Sequence, residues 1–115
     1  MGSKLWTALA LVREGELCKR TRDNGSGAHC ALGFLDEAYG FNCITRSTPE
    51  TAKDVRLLAE TLLELFPDRH NGYFGNVNRD GWIVADINNH GDTTQADIEL
   101  AFEKAAIRCD ELVIV

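Results

Sequence analysis

Apolar positions along the chain recur mostly at helical spacing. The densest stretch runs from His29 to Gly40. Apolar or small residues at 30, 31, 34, 35 and 38 follow the i, i+1, i+4, i+5, i+8 spacing of one helical face. Leu32 and Tyr39 widen that face until Asp36 and Glu37 are left for water. The pattern predicts a buried central helix over 30–39, closed by Gly40 in the left-handed conformation that ends helices. Gly33 inside it costs about 1 kcal/mol relative to Ala, so its expected use is the close approach of another helix.

Four further helices are predicted around this one. Ser3 as N-cap, with Leu5, Trp6, Leu9, Val12 and Leu17 at helical spacing, gives a first helix over 4–17. Gly15 and the polar run 21–27 then supply turn residues. Ser47-Thr48-Pro49-Glu50 starts a helix over 49–66, with Val55, Leu58, Ala59, Leu62, Leu65 and Phe66 on its apolar stripe and Pro67 as its stop. A polar loop over 68–79 follows, with Tyr73 and Phe74 expected to pack over an edge of the bundle and Tyr73 as a candidate ligand contact. Residues 82–87 are short and apolar; they are read as a short helix over 81–88, with a strand as the alternative. Thr94-Gln95-Ala96-Asp97 resembles a capping box with Asp in place of Glu and opens a helix over 95–109, whose face is Ile98, Ala101, Phe102 and Ala105. The β-prone tail 112–115 has three readings: packing across the bundle, pairing with a partner chain in a homodimer, or fraying. The fold expected is all-α, a compact single domain of four to five helices across 1–115.

Composition narrows the function classes. A chain of 115 residues with 44% apolar and 26% charged residues can build one core without staples. Its net charge of −6 disfavours general binding to nucleic acid or to membrane surfaces. The one basic cluster is Lys19, Arg20 and Arg22. No apolar run approaches about 20 residues and no targeting segment is recognisable, so a cytoplasmic protein is expected. Cys18, Cys30, Cys43 and Cys109 lack paired C-x-x-C spacing and read as core residues. A zinc set of Cys18, His29, Cys30 and Cys43 fits the common ligand gaps poorly.

Cys30-Ala31-Leu32-Gly33-Phe34-Leu35 with Ala38 and Gly40, followed by Ile87-Asn88-Asn89 and by Thr94, Asp97 and Ile98, resembles a group of small uncharacterised proteins of bacteria and their phages. Those carry a Cys-Ala-Leu-Gly helix and an Asn-Asp turn leading into a Thr-capped helix. The resemblance spans roughly residues 5 to 108 and implies a phage or prophage accessory protein. Two positions depart from the pattern. Asn89 stands at the second place of the Asn-Asp pair, and Gly91-Asp92 replaces the usual Pro-Gly. An amide neither ionises nor acts as a base, so a catalytic or metal role of the family's Asp would not carry over to Asn89.

The candidate chemistry gathers in the turn from 86 to 97. Asn88 and Asn89 read first as structural amides that bond backbone groups between the Cys30 helix and the last helix. With His90, Asp92 and Tyr73 they also form the candidate binding set. The spacing Asp86-x-Asn88-x-His90-Gly91-x5-Asp97 partly fits a calcium loop, with Asp86, Asn88 and Asp97 as ligands. An enzyme would use Cys30 as nucleophile, His90 or His29 as base, and Asp92 or Asp86 to orient it. Cys30, Gly33, Gly40, Thr94 and Asp97 read as structural. No cofactor is expected. The leading expectation is a non-enzymatic module that binds a host or phage protein, inhibiting it, through acidic residues including Glu60, Glu64, Asp68, Asp110 and Glu111. A small-ligand or metal-binding domain and a cysteine enzyme are the alternatives.

Overall fold

A computed structural model describes residues 2–19, 25, 28–70 and 78–113. Five α-helices follow one another: α1 Leu5–Glu14, α2 Ala31–Tyr39, α3 Pro49–Leu65, α4 Arg79–Asn89 and α5 Gln95–Val113, with one 3₁₀ turn at Pro67–Arg69. The all-α expectation holds, and the strand alternative for 82–87 does not. The main helix contacts close into a ring in which α1 packs on α2 and α5, α3 on α4 and α5, and α2 on α4. Phe34, Phe102, Leu5, Leu9, Leu35, Leu58, Leu62, Ile83, Ile87 and Ile98 fill its middle, each fully buried. The radius of gyration is 12.8 Å, close to the value of about 13 Å for one domain of this length.

Local signals explain most helix boundaries. Thr48 caps α3 in a reciprocal box with Thr51, and Pro49 occupies the first turn, where its missing N–H costs nothing. Gly40 ends α2 at φ 83°, a left-handed conformation that a side chain would strain. Three boundaries differ from the sequence reading by two residues or more. Helix one stops at Glu14, and Leu17 sits instead in an isolated parallel β-bridge with His29. A Cβ at Gly15 would lie 2.9 Å from the Leu11 carbonyl and 3.0 Å from the Phe34 ring, so the chain leaves α1 where only glycine fits. Helix α4 begins two residues early because Asn78 caps it, its side chain accepting from Gly81 N–H at 2.8 Å. Helix α5 runs through Leu112 and Val113, so that part of the expected β-prone tail is helical.

Two cap assignments also change. Ser3 does not occupy the N-cap of α1; Lys4 does, while the Ser3 hydroxyl accepts from Leu5 N–H at 3.1 Å. Cys30 is the N-cap of α2 rather than a residue of its apolar face, with extended backbone and its sulfur accepting from Gly33 N–H at 3.4 Å. Gly33 itself is buried.

Candidate functional site

The turn between α4 and α5 is held by side chains bonded to backbone. Asn88, 1% exposed, is the pivot. Its Oδ1 accepts from Ala31 N–H at 3.0 Å, and its Nδ2 donates to the Cys18 carbonyl at 3.2 Å and to Asn89 Oδ1 at 3.3 Å. The β-bridge explains why a carboxamide belongs there. Cys18 N–H donates to the His29 carbonyl at 2.9 Å and His29 N–H to the Glu16 carbonyl at 3.0 Å. The next rung of such a parallel ladder would join Ala31 N–H to the Cys18 carbonyl. Asn88 supplies an amide to both groups in place of that bond and so ties α4 to the start of α2.

The start of α5 is equally committed. Thr94 Oγ1 accepts from Asp97 N–H at 3.2 Å while Asp97 Oδ2 accepts from Thr94 N–H at 3.1 Å, a capping box closed by the shorter acid. Arg69, stacked on Phe66 at 4.3 Å, donates to Asp97 Oδ2 at 2.8 Å and to Thr93 Oγ1 at 3.3 Å. Thr93 Oγ1 in turn donates to the Ile87 carbonyl at 2.6 Å. Burial alone would raise the Asp97 carboxyl, but the Arg69 guanidinium and the Thr94 donors outweigh it and leave the group below its ordinary value of 3.8. The stability this confers is complete above that ordinary value and is lost as pH falls through the lower folded one. Asp97→Asn should therefore be less stable than the parent at neutral pH, by about 1–2 kcal/mol, and should lose less on acidification. Urea midpoints measured from neutral pH down through the carboxylate range check both.

The proposed calcium ligands bond to separate partners. Asp86 Oδ2 lies 3.0 Å from His70 Nδ1, Asn88 is bonded to backbone, and Asp97 is bonded to Arg69 and Thr94, so the three proposed calcium ligands serve three separate contacts. Asp86 and Asn88 moreover lie within α4, where backbone cannot wrap an ion as a loop does. Among the described residues no three His, Cys, Asp or Glu side chains gather as a metal site, which also removes the Cys18, His29, Cys30, Cys43 set. His29 Nε2 contacts Glu37 at 2.5 Å and its ring meets Phe34 edge-on at 5.3 Å. His90 Nδ1 accepts from Asp92 N–H at 3.1 Å, its carboxylate neighbour Asp92 being largely exposed. Lys19 donates to the His90 carbonyl. Tyr73, Phe74, Arg20 and Arg22 lie outside the described residues.

Two features escaped the sequence reading. Asp54 is fully buried in α3, where Oδ2 accepts from Lys4 N–H at 2.9 Å, at the start of α1, and from the Tyr39 hydroxyl at 2.5 Å. Its Oδ1 has no hydrogen-bond partner among the described residues. The capping spacing gives no hint of this, because all three groups come from different helices. The second is a face built by α1 and α5. Leu5, Ala8, Leu9 and Val12 form the buried stripe of α1, and Trp6 turns away from it at 47% exposure, against the expectation that it faces the core. Its indole N–H donates to Asp110 Oδ2 at 2.8 Å. Leu100, Ile107 and Leu112 of α5 are also exposed, and these three with Trp6 are the exposed large apolar side chains among the described residues. Leu100 and Ile107, seven residues apart, share one face of α5 away from its core stripe, a spacing readable in the sequence, whereas Leu112 lies about 140° from Ile107 around the helix.

Charge surrounds this face. Arg13 bridges Glu99 at 3.0 Å and Glu103 at 3.4 Å, and a shallow cleft of about 230 Å³ is lined by these three with Ala96 and Leu100. Asp110 and Glu111 border the other end and are exposed. Of the other acids singled out in the sequence, Glu64 pairs with Arg108 and Glu60 with Arg56 at 3.8 Å. No described helix is long and apolar enough to cross a membrane. Comparison with protein-family models, curated proteins and solved structures finds no match.

Proposed function

We propose that the chain is a non-enzymatic protein-interaction module, a phage- or prophage-type accessory protein that docks a basic surface of a host or phage protein on the α1/α5 face and inhibits it. The observation that carries the reading is the exposure of Trp6, Leu100 and Ile107 on two adjacent helices, because exposed apolar side chains collected on one face mark contact surfaces. The polar groups of the 86–97 turn support it indirectly, being engaged in internal bonds.

Charge chooses the occupant. Glu99, Glu103, Asp110 and Glu111 border the apolar residues, against Arg13 and Lys104, so the rim is net negative and favours a partner with Lys or Arg around an apolar centre. A second copy of this chain would bring the same acidic rim to itself across a two-fold axis, which is unfavourable. Trp6 suits an anchor, since its bond to Asp110 holds the indole in place and lowers the entropy lost on docking.

Affinity capture from cells that carry the gene tests this, with the parent compared against Trp6→Ala and Ile107→Asp. Retention of a captured basic protein should fall at least about tenfold in each variant, the loss of roughly 1.4 kcal/mol or more that truncating an anchor gives. Both sites are exposed, so the variants should melt as the parent does. Equal capture by all three would refute the face, and parent dimerisation abolished by Ile107→Asp would replace the basic partner with a second copy.

A further inference from the structure

We propose that Cys18 and Cys30 form a reversible disulfide, making the junction between the end of α1 and the cap of α2 a thiol-modification site. The backbone places the pair. Leu17 and His29 are bridged in parallel and Cys18 N–H donates to the His29 carbonyl at 2.9 Å, so Cys18 and Cys30 each follow the bridge by one residue. Cys30 has extended backbone at φ −79° and ψ 175°, which carries the register through it. Residues in register on neighbouring parallel strands have side chains on the same side, and strands lie about 4.8 Å apart. A disulfide spans α-carbons about 4.4–6.8 Å apart. Just beyond the pair the Asn88 carboxamide stands between the Cys18 carbonyl and Ala31 N–H, so the two chains part there but stay tied through one side chain.

The two sulfurs have different surroundings, which sets the order of the chemistry. Cys18 is half-buried and reachable by a small oxidant, whereas Cys30 is 6% exposed. Cys30 Sγ receives Gly33 N–H at the positive end of α2, where negative charge on sulfur is favoured. With glutathione disulfide as the oxidant, the Cys18 thiolate attacks one glutathione sulfur and releases the other as glutathione thiolate. The Cys30 thiolate then attacks Cys18 Sγ of the mixed disulfide and expels the second glutathione. Two protein thiols are oxidised, one glutathione disulfide is reduced to two glutathiones, and the two thiol protons leave to solvent or to the departing thiolates. Cys43 and Cys109, at 1% and 4% exposure, are internal references.

The full-length protein is incubated with glutathione disulfide, quenched with an alkylating reagent in denaturant, and read by intact mass and peptide mapping. The parent should show a species lighter by two hydrogens before alkylation, with two fewer alkylated thiols, and a cross-linked peptide joining Cys18 to Cys30 that disappears on reduction. Cys30→Ser should stop at the mixed disulfide on Cys18, heavier by one glutathione. Four alkylated thiols, a parent that also stops at the mixed disulfide, or a cross-link through Cys43 or Cys109 would each overturn the proposal. The parent map alone decides the matter if Cys30→Ser fails to fold.

Discussion

Asn88→Ala should cost about 3 kcal/mol, because it leaves Ala31 N–H and the Cys18 carbonyl without the partner that replaces their missing ladder bond, and each buried orphan costs about 1–3 kcal/mol. The loss appears as a lower urea midpoint with an unchanged slope. Asn88→Asp is the sharper variant. It keeps an acceptor for Ala31 N–H but sets a carboxylate oxygen against the Cys18 carbonyl, so it should be at least as damaging as alanine although it differs from Asn by one atom. Asn89→Ala should cost under about 1 kcal/mol, since Asn89 Oδ1 lies in the half-exposed part of the network. If Asn88→Ala matched Asn89→Ala, the carboxamide would not be the tie between α4 and α2.

Asp54→Ala should cost about 2 kcal/mol by freeing Lys4 N–H and the Tyr39 hydroxyl at once. Asp54→Asn, which retains an acceptor oxygen, should recover part of it. Tyr39 links this site to alkaline pH. Burial raises its phenol far above the ordinary value of 10, and the bond to Asp54 and the charge of Asp54 raise it further. The unfolded chain therefore releases the tyrosine proton first. The stability contributed is complete below pH 10 and declines as pH climbs from there toward the raised folded value. Tyr39→Phe should flatten that alkaline decline, and Asp54→Asn should make it shallower, both read from thermal or urea unfolding in alkaline buffers. A decline of the same steepness in Tyr39→Phe would exclude this tyrosine as its source.

The helices and their ends were legible because their causes are local. Apolar residues three and four apart define a face whatever lies opposite, and the Thr48, Gly40 and Thr94–Asp97 caps act within one turn of chain. The same locality explains the Trp6 error, since its place beside Leu5 says nothing of where α5 lies; only the packing of α1 on α5 made it a surface residue bonded to Asp110. It also explains why Asn88 could be read as a structural amide without its partners being known. The Cys18 carbonyl is 70 residues away in the chain, and a one-residue shift in the bridge would have offered it different groups.

The sequence by itself therefore determined an all-α chain, the approximate extent of each helix and the caps at Thr48, Gly40 and Thr94–Asp97, because hydrophobic periodicity and backbone donors at helix ends are short-range causes. Tertiary structure decided which polar groups meet, as in Asp54 with Lys4 and Tyr39, Gln95 with the Val12 and Gly15 carbonyls, and the Cys18 N–H with the His29 carbonyl. It also decided which apolar residues were left facing outward. Those pairings depend on the relative placement of elements far apart in the chain, which side-chain spacing within any one helix does not encode.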